Sequence, residues 1–248
     1  MCSKCVTSYA FRPNWFQWQF TQPLNLAFRE SIHLDWGSGG RPSNPFSART
    51  LYIADINKPN VKGEGFEYRK IVNITKIDLP NDSIDSVSAY DLLEHIPRFW
   101  QNKSGDINFP FIELMNEVYR ILKPGGILIC VTPAYPSPQT FQDPTHVNFI
   151  TEETISYFDE NAWAKTLGYG LTDYFQRVHQ SWLRGSGPYI GRFPNHQNLP
   201  EKQINLKTTL ILKYINRIFR MSKKANTFSL LWVLRKPSRC DLEVRGLK

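Results

Sequence analysis

Short apolar runs that stop at an aspartate recur through the first half of the chain. Ile32-His33-Leu34 ends at Asp35, Leu51 to Ala54 at Asp55, Ile74 to Ile77 at Asp78, and Ile84 to Tyr90 at Asp91. A fifth run, Gly126 to Thr132, is apolar without alternation, as a strand buried on both faces is. Between the fourth and fifth runs lies a helical stripe of Ile112, Leu114, Met115, Val118, Ile121 and Leu122. Pro110 suits the first turn of that helix, and Pro124-Gly125 suits a type II turn that ends it. Strands alternating with crossovers predict an α/β fold whose mostly parallel sheet is covered on both sides. Such sheets bind ligands beyond the carboxyl ends of their strands, where four of these five runs place a carboxylate.

Later segments complete the pattern. Thr151 is placed to cap a helix reaching Phe158, with Glu152 and Glu153 in the first turn, where carboxylates meet the positive end of the helix dipole. Phe228 to Leu234 reads as a last strand, with Tyr174 to Trp182 as its partner. The chain then divides into an aromatic-rich N-terminal segment (1–30), a core (31–183), an insertion (184–226), and a last strand with tail (227–248). The N-terminal segment, with Phe11, Trp15, Phe16, Trp18 and Phe20, suits either packing against the core or a lid over a pocket. The insertion holds nine basic residues and one acid, Glu201, an excess equal to the net charge of +8 for the whole chain. Its apolar residues Leu206, Leu210, Ile211, Tyr214, Ile215, Ile218 and Phe219 form a stripe beside the basic ones. This suits a packed cap with a solvated basic face, contact with an anionic membrane surface, or phosphate binding to nucleic acid.

The hydrophobic share of 41% and charged share of 21% are those of a globular domain, and 248 residues suffice for one large α/β unit. No run of apolar residues has the length of a spanning helix, and residues 1–20 lack the apolar stretch of a signal peptide. Cysteines at 2, 5, 130 and 240 do not form a disulfide framework, so a reduced, cytoplasmic protein is expected. Cys2 and Cys5 have half the ligands of a structural zinc site and read as two free thiols in a tail.

The first aspartate opens the glycine-rich loop Asp35-Trp-Gly37-Ser38-Gly39-Gly40. A dinucleotide clamp needs Gly-x-Gly-x-x-Gly running into a helix whose N–H groups meet the pyrophosphate. Here ten residues, Pro42 and Pro45 among them, separate Gly40 from Leu51, which is too few for a crossover helix of normal length. The glycines instead suit a ligand lying against bare backbone. Asp55, 18 residues after Gly37, is placed to accept both hydroxyls of a ribose, and Asp78 to accept an exocyclic amine. Such a ligand carries adenosine and a cationic group and needs no phosphate clamp.

The stretches HLDWGSGG, LYIADI, KIDLPNDSIDSVSAYDLLEHIP and EVYRILKPGGILICVTP, in this order, resemble the class I S-adenosylmethionine-dependent methyltransferases, most of all the methyltransferase 11 group. The resemblance covers roughly residues 31 to 160. It implies a Rossmann-like, doubly wound, mostly parallel sheet of seven strands with an antiparallel last strand. It further implies that Asp35, Gly37, Ser38 and Gly39 line the methionine part of S-adenosylmethionine and that Asp55 holds the ribose. Asp78 and Leu79 would flank the adenine, and Asp91 would stand beside the methyl-transfer site. The sequence departs from the family where RPSNPFSART replaces the helix after the glycine loop.

A hydroxyl acceptor needs a general base or a metal to help remove its proton. In a helix, Asp91, Glu94 and His95 would share one face. His146, in QDPTHVNFIT, follows the fifth strand on the same edge of the sheet. With His146 the three would form a site for a divalent cation, resembling the Glu-x-x-Glu-His…His site of the small-RNA 2′-hydroxyl and ubiquinone-pathway O-methyltransferases, with Asp91 in place of the first glutamate. Alternatively Glu94 and His95 are hydrogen-bonded structural residues. His146 is then the base, Asp143 and His95 are further catalytic candidates, and Tyr135 contacts substrate. AYDLLEH lacks the Asn/Asp-Pro-Pro-Tyr/Phe motif of base-amine methylation. The expected activity is methylation of a hydroxyl on a sugar, glycan or lipid-linked acceptor. The rivals are metal-assisted RNA 2′-hydroxyl methylation and a non-catalytic partner protein that binds S-adenosylmethionine.

Overall fold

The computed structural model describes residues 31–39, 42–46, 48–57, 66–70, 73–183 and 229–238. The readings made on the N-terminal segment, Cys2 and Cys5, Gly40, the basic insertion and the C-terminal tail lie outside the described residues. Strands β1 (Ile32–Trp36), β2 (Thr50–Asp55), β3 (Phe66–Lys70), β4 (Ile84–Tyr90), β7 (Leu122–Pro133), β8 (Gln176–Leu183) and β9 (Ser229–Arg235) form one sheet. Its order is β3-β2-β1-β4-β7-β9-β8. The first five are parallel, and β9 runs antiparallel to both β7 and β8. This is the doubly wound, Rossmann-like sheet that the sequence implies. A separate ribbon pairs β5 (Trp100–Gln101) with β6 (Ile107–Asn108).

Helix α1 (Pro110–Ile121) begins with Pro110 in its first turn and covers one face of the sheet. Its Leu114, Met115, Val118 and Ile121 join Leu34 and Trp36 of β1, Val87 and Ala89 of β4, Leu128 and Cys130 of β7, and Trp232 of β9. The alternate residues Tyr90, Ile129, Val131, Leu231 and Val233 form a smaller cluster with Phe46 on the other face. The helices α2 (Gln139–Gln142) and α3 (Trp163–Thr166) are single turns, and Leu93–His95 and Glu152–Tyr157 are 3₁₀ segments. The latter starts at Thr151, whose N–H is accepted by Thr154 Oγ1 at 2.9 Å in a capping box. Among the described residues no helix stands between β1 and β2, in keeping with the proline-cramped spacing there. No described helix is long and apolar enough to cross a membrane.

One expected strand is not in the sheet. Ile74 to Ile77 lies in a tight turn closed by an Asn73–Lys76 bridge, and the third strand is Phe66–Lys70 instead. The sequence FEYRK hides it because an edge strand is exposed along one side and carries charge rather than a buried apolar run. Arg69 there pairs with Glu67 at 2.8 Å and lies over the Tyr52 ring at 5.0 Å.

The loop that would have been a strand is fixed by α1. Glu117 Oε1 accepts the Ile77 N–H at 2.8 Å. Arg120 donates to the carbonyls of Leu79 (2.8 Å) and Ile77 (3.2 Å), to Asn81 Oδ1 (2.7 Å), and to Glu117. These bonds hold the Glu117 carboxyl below the usual range against the opposing effect of burial. Arg120→Ala removes the donor to the Leu79 carbonyl and one of two donors to the Ile77 carbonyl, which also accepts the Leu79 N–H at 2.9 Å, and is expected to lower unfolding free energy in urea by about 1–3 kcal/mol. Arg120→Lys, lacking the planar fork, should recover only part of this.

Candidate functional site

The chain runs outward from β1 through β2 to β3, then returns to β4 on the other side of β1. The strand order therefore reverses between β1 and β4, and a crevice opens at their carboxyl ends. The glycine loop lies there. Gly37 has φ 78°, and its N–H donates to Ala54 O at 2.7 Å. A Cβ at Gly37 would stand 2.9 Å from Leu92 Cδ1, so the turn after β4 packs directly on the loop. A Cβ at Gly39 would meet nothing within 4 Å, which leaves its backbone open as a wall.

The polar groups around this wall fit the ligand that the resemblance implies. Asp55 Oδ2 accepts the Gly39 N–H at 2.8 Å and Oδ1 accepts the Asn57 N–H at 3.0 Å. A carboxylate has about four acceptor sites, so each oxygen keeps one for a ribose hydroxyl. Ser38 and Ser43 are 3% and 1% exposed, and among the described residues the hydroxyl of each has no hydrogen-bond partner. Buried hydroxyls are rarely left so, and these are the donors and acceptors that a charged amino-acid moiety needs. Asp78 is exposed on the loop held by Arg120, next to buried Leu79. Asp35 sits beneath the loop at 1% exposure, with Oδ1 accepting the Ser88 hydroxyl at 2.5 Å and Oδ2 the Ser43 N–H at 2.8 Å.

Asp91 follows β4 with φ 50° and donates its N–H to Val131 O at 2.8 Å. The helix that would align Asp91 with Glu94 and His95 does not form, because residues 93–95 make a single 3₁₀ turn that excludes Asp91. Among the described residues, the potential ligand atoms that come within 4.8 Å of one another belong to Glu94, His95 and His146. Glu94 is 1% exposed, and its Oε2 accepts the Thr132 hydroxyl at 2.9 Å. Burial above all, with the neighbouring Asp91 charge, pushes its carboxyl up to about 8, so it is protonated at neutral pH.

The His95 and His146 rings meet edge to face with centroids 4.8 Å apart. His146 Nδ1 donates to Thr140 O at 3.2 Å. His95 Nδ1 faces both oxygens of Thr145, whose hydroxyl gives its own proton to Asp143 Oδ1 at 2.6 Å. Both Nδ1 atoms therefore carry the proton, and in each neutral ring Nε2 is the lone-pair nitrogen. Asp143 also takes the Thr145 N–H at 2.8 Å, and these two bonds hold its carboxyl below the usual range. Asp143 thus acts on His95 through Thr145. Tyr135 is exposed at the rim, its N–H bonded to Ile150 O at 2.8 Å.

Residues that sequence spacing does not single out hold this arrangement together. The Glu94 carbonyl accepts the N–H groups of Val147 (2.9 Å) and Asn148 (3.0 Å). The buried Asn148 side chain donates to Leu93 O at 2.9 Å and accepts from Arg98 Nε at 2.8 Å. The set of one carboxylate and two imidazoles also has the chemistry to hold a divalent cation.

Residues 34–130 match the Methyltransf_11 family, described as a methyltransferase domain. No curated protein matches the chain. Among solved structures the chain is similar to a SAM-dependent methyltransferase from Archaeoglobus fulgidus, at 15% identity and TM-score 0.48 over 85% of this chain and 89% of that one. It is also similar to an S-adenosylmethionine-dependent methyltransferase from Mesorhizobium loti, at 14% identity and TM-score 0.44 over 84% and 92% of the two chains. A third is the 1,6-didemethyltoxoflavin-N1-methyltransferase of Burkholderia thailandensis with bound S-adenosylhomocysteine, at 14% identity and TM-score 0.42 over 85% and 72%. The family match spans the glycine loop, the second acid and the turn after β4, so it is over these elements that the chain is similar to a methyltransferase domain.

Proposed function

We propose that the protein methylates a hydroxyl group on a sugar, glycan or lipid-linked acceptor. The observation that supports this is the pair of imidazoles at the carboxyl edge of β4 and β7, with Nε2 as the lone-pair nitrogen of each. Bound S-adenosylmethionine supplies a methyl group already activated as a sulfonium. The wall at Gly39, the Asp55 carboxylate and the Ser38 and Ser43 hydroxyls hold its two ends. His146 is placed to take the proton of an acceptor hydroxyl on Nε2, while S-adenosylmethionine, when bound, would supply the methyl and keep the pair of the broken C–S bond as a neutral thioether. The Thr140 carbonyl keeps the Nδ1 proton in place and stabilises the imidazolium that forms. His95, fixed by Thr145 and Asp143, packs against that ring and orients it. Most of the rate enhancement comes from holding hydroxyl and methyl in line, for which effective molarities of about 10⁵–10⁸ M set the scale.

A second reading is favoured by the closeness of Glu94, His95 and His146, which would hold a divalent cation polarising an RNA 2′-hydroxyl. The basic excess of residues 184–226 supports an anionic partner in that case, either nucleic acid or a membrane surface. A third, non-catalytic protein would bind S-adenosylmethionine and turn over no acceptor in a labelled-cofactor screen.

Three measurements test these assignments. Asp55→Ala should weaken S-adenosylhomocysteine binding at least about ten-fold by calorimetry, the effect of losing hydrogen bonds to a charged group. His146→Ala should lower kcat by about 10²–10⁴ with S-adenosylhomocysteine affinity unchanged, and an undiminished kcat would falsify the base assignment. Glu94 carries a pH signature. Its folded value of about 8 lies above its ordinary 4.5, so its contribution to stability is complete below pH 4.5 and is lost as pH rises through 8. The melting temperature of wild type should therefore fall relative to Glu94→Gln between those values, with or without Mg²⁺. A rise in Tm on adding Mg²⁺ or Mn²⁺ that Glu94→Gln abolishes, together with chelator-sensitive turnover, would shift the assignment to the metal-assisted reading.

A further inference from the structure

On the sheet face away from α1, β1 and β4 bury polar side chains where a central parallel strand ordinarily carries aliphatic ones. His33 and Asp35 come from β1, and Ser86 and Ser88 stand opposite them in register on β4. His33, Ser86 and Ser88 are fully buried and Asp35 is 1% exposed. The mechanism above uses none of the four.

Their hydrogen bonds run in one direction. Asp35 as a carboxylate only accepts, so at 2.5 Å the Ser88 hydroxyl proton points to its Oδ1. The Ser88 oxygen must then accept from His33 Nε2 at 2.9 Å, which fixes the ring as the Nε2–H tautomer. His33 Nδ1 in turn accepts the Ser86 hydroxyl at 2.8 Å. Burial lowers the imidazole to about 3, so the ring stays neutral and has one proton to give. At the far end, Asp35 Oδ2 accepts the N–H of Ser43, where the chain returns from the glycine loop. Both Asp35 oxygens are engaged by the protein, so its influence on a ligand passes through the loop.

We infer that His33 and Ser88 are positioning residues for cofactor binding. The neutral imidazole orients the Ser88 hydroxyl, and Ser88 fixes one oxygen of Asp35. The other Asp35 oxygen pins the loop's return at Ser43 and so sets the wall at Gly39 and the hydroxyls of Ser38 and Ser43. The inference rests on the glycine loop being the S-adenosylmethionine site. A purely architectural role would need only shape, which apolar residues of similar volume supply without desolvating a carboxylate.

The test measures S-adenosylhomocysteine affinity of Ser88→Ala, His33→Leu and Ser88→Thr by calorimetry, with ¹⁵N spectra of the histidine rings. Ser88→Ala and His33→Leu should each weaken binding about ten-fold, as losing one bond to a charged group does. Ser88→Thr, which keeps the hydroxyl on a strand-compatible side chain, should bind within about two-fold of wild type on the same scale. The KM for S-adenosylmethionine should rise while kcat at saturation is kept. The spectrum should contain one histidine that is a neutral Nε2–H tautomer throughout the range from pH 5 to pH 8, and Ser88→Ala should shift its signals. Wild-type affinity in Ser88→Ala, or a His33 that protonates in that range, overturns the inference. If His33→Leu does not fold, Ser88→Ala and the spectra still decide. Loss of binding in Asp55→Ala alone separates failure of this inference from failure of the cofactor assignment, whereas a wild-type protein that does not bind S-adenosylhomocysteine overturns both.

Discussion

The pairing of β1 with β4, which sets Asp35 against Ser88, is the constraint on which the rest of the molecule depends. It places the first described strand in the middle of the sheet, so connections leave it in opposite directions and a crevice opens at its carboxyl end. It brings the turn after β4 close enough to the glycine loop that Gly37 has no room for a side chain. The glycine loop and the turn after β4 are thereby joined through one strand pair. A slip of one residue in this register would exchange the two faces of β4, turning Val87 and Ala89 away from α1 and the serines toward it.

That no helix stands between β1 and β2 among the described residues changes how that crevice is held. In the dinucleotide design a helix N-terminus supplies donors and a positive field to a phosphate. Here single side-chain and backbone bonds do the equivalent work: Asp55 on the Gly39 N–H, Asp35 on the Ser43 N–H, and Arg120 on the loop after Lys76. Each fixes a loop at one point, and none needs an anionic ligand to complete it. That suits a cofactor whose charge is a sulfonium and an ammonium.

The parts of this arrangement that were legible in the sequence are those governed by local pattern. Apolar runs gave β1, β2, β4, β7 and β9, Pro110 gave the start of α1, and the residues from Asp35 to Gly39 gave the loop. Where tertiary contacts outweigh local pattern the sequence was misleading. Ile74 to Ile77 is apolar enough for a strand, yet Glu117 and Arg120 capture its backbone in a turn, while the charged FEYRK takes the sheet edge. The spacing of Asp91, Glu94 and His95 assumed a helix, but a left-handed residue and a single 3₁₀ turn separate the first from the other two. Thr132, Thr145 and Asn148 were illegible because their importance lies in partners distant in sequence.

The loop carrying His146 hangs on the Glu94 carbonyl, through the backbone N–H groups of Val147 and Asn148. The two imidazoles therefore owe their relative placement to main-chain bonds that any residue at position 94 can make. Frame and reactivity are separable at this point: substituting the carboxyl changes the polar group presented to the rings while the loop keeps its attachment. A single position can thus be exchanged between a neutral acid, an amide and a cation ligand without rebuilding the edge of the sheet, and acceptor chemistry can diversify on a fixed scaffold.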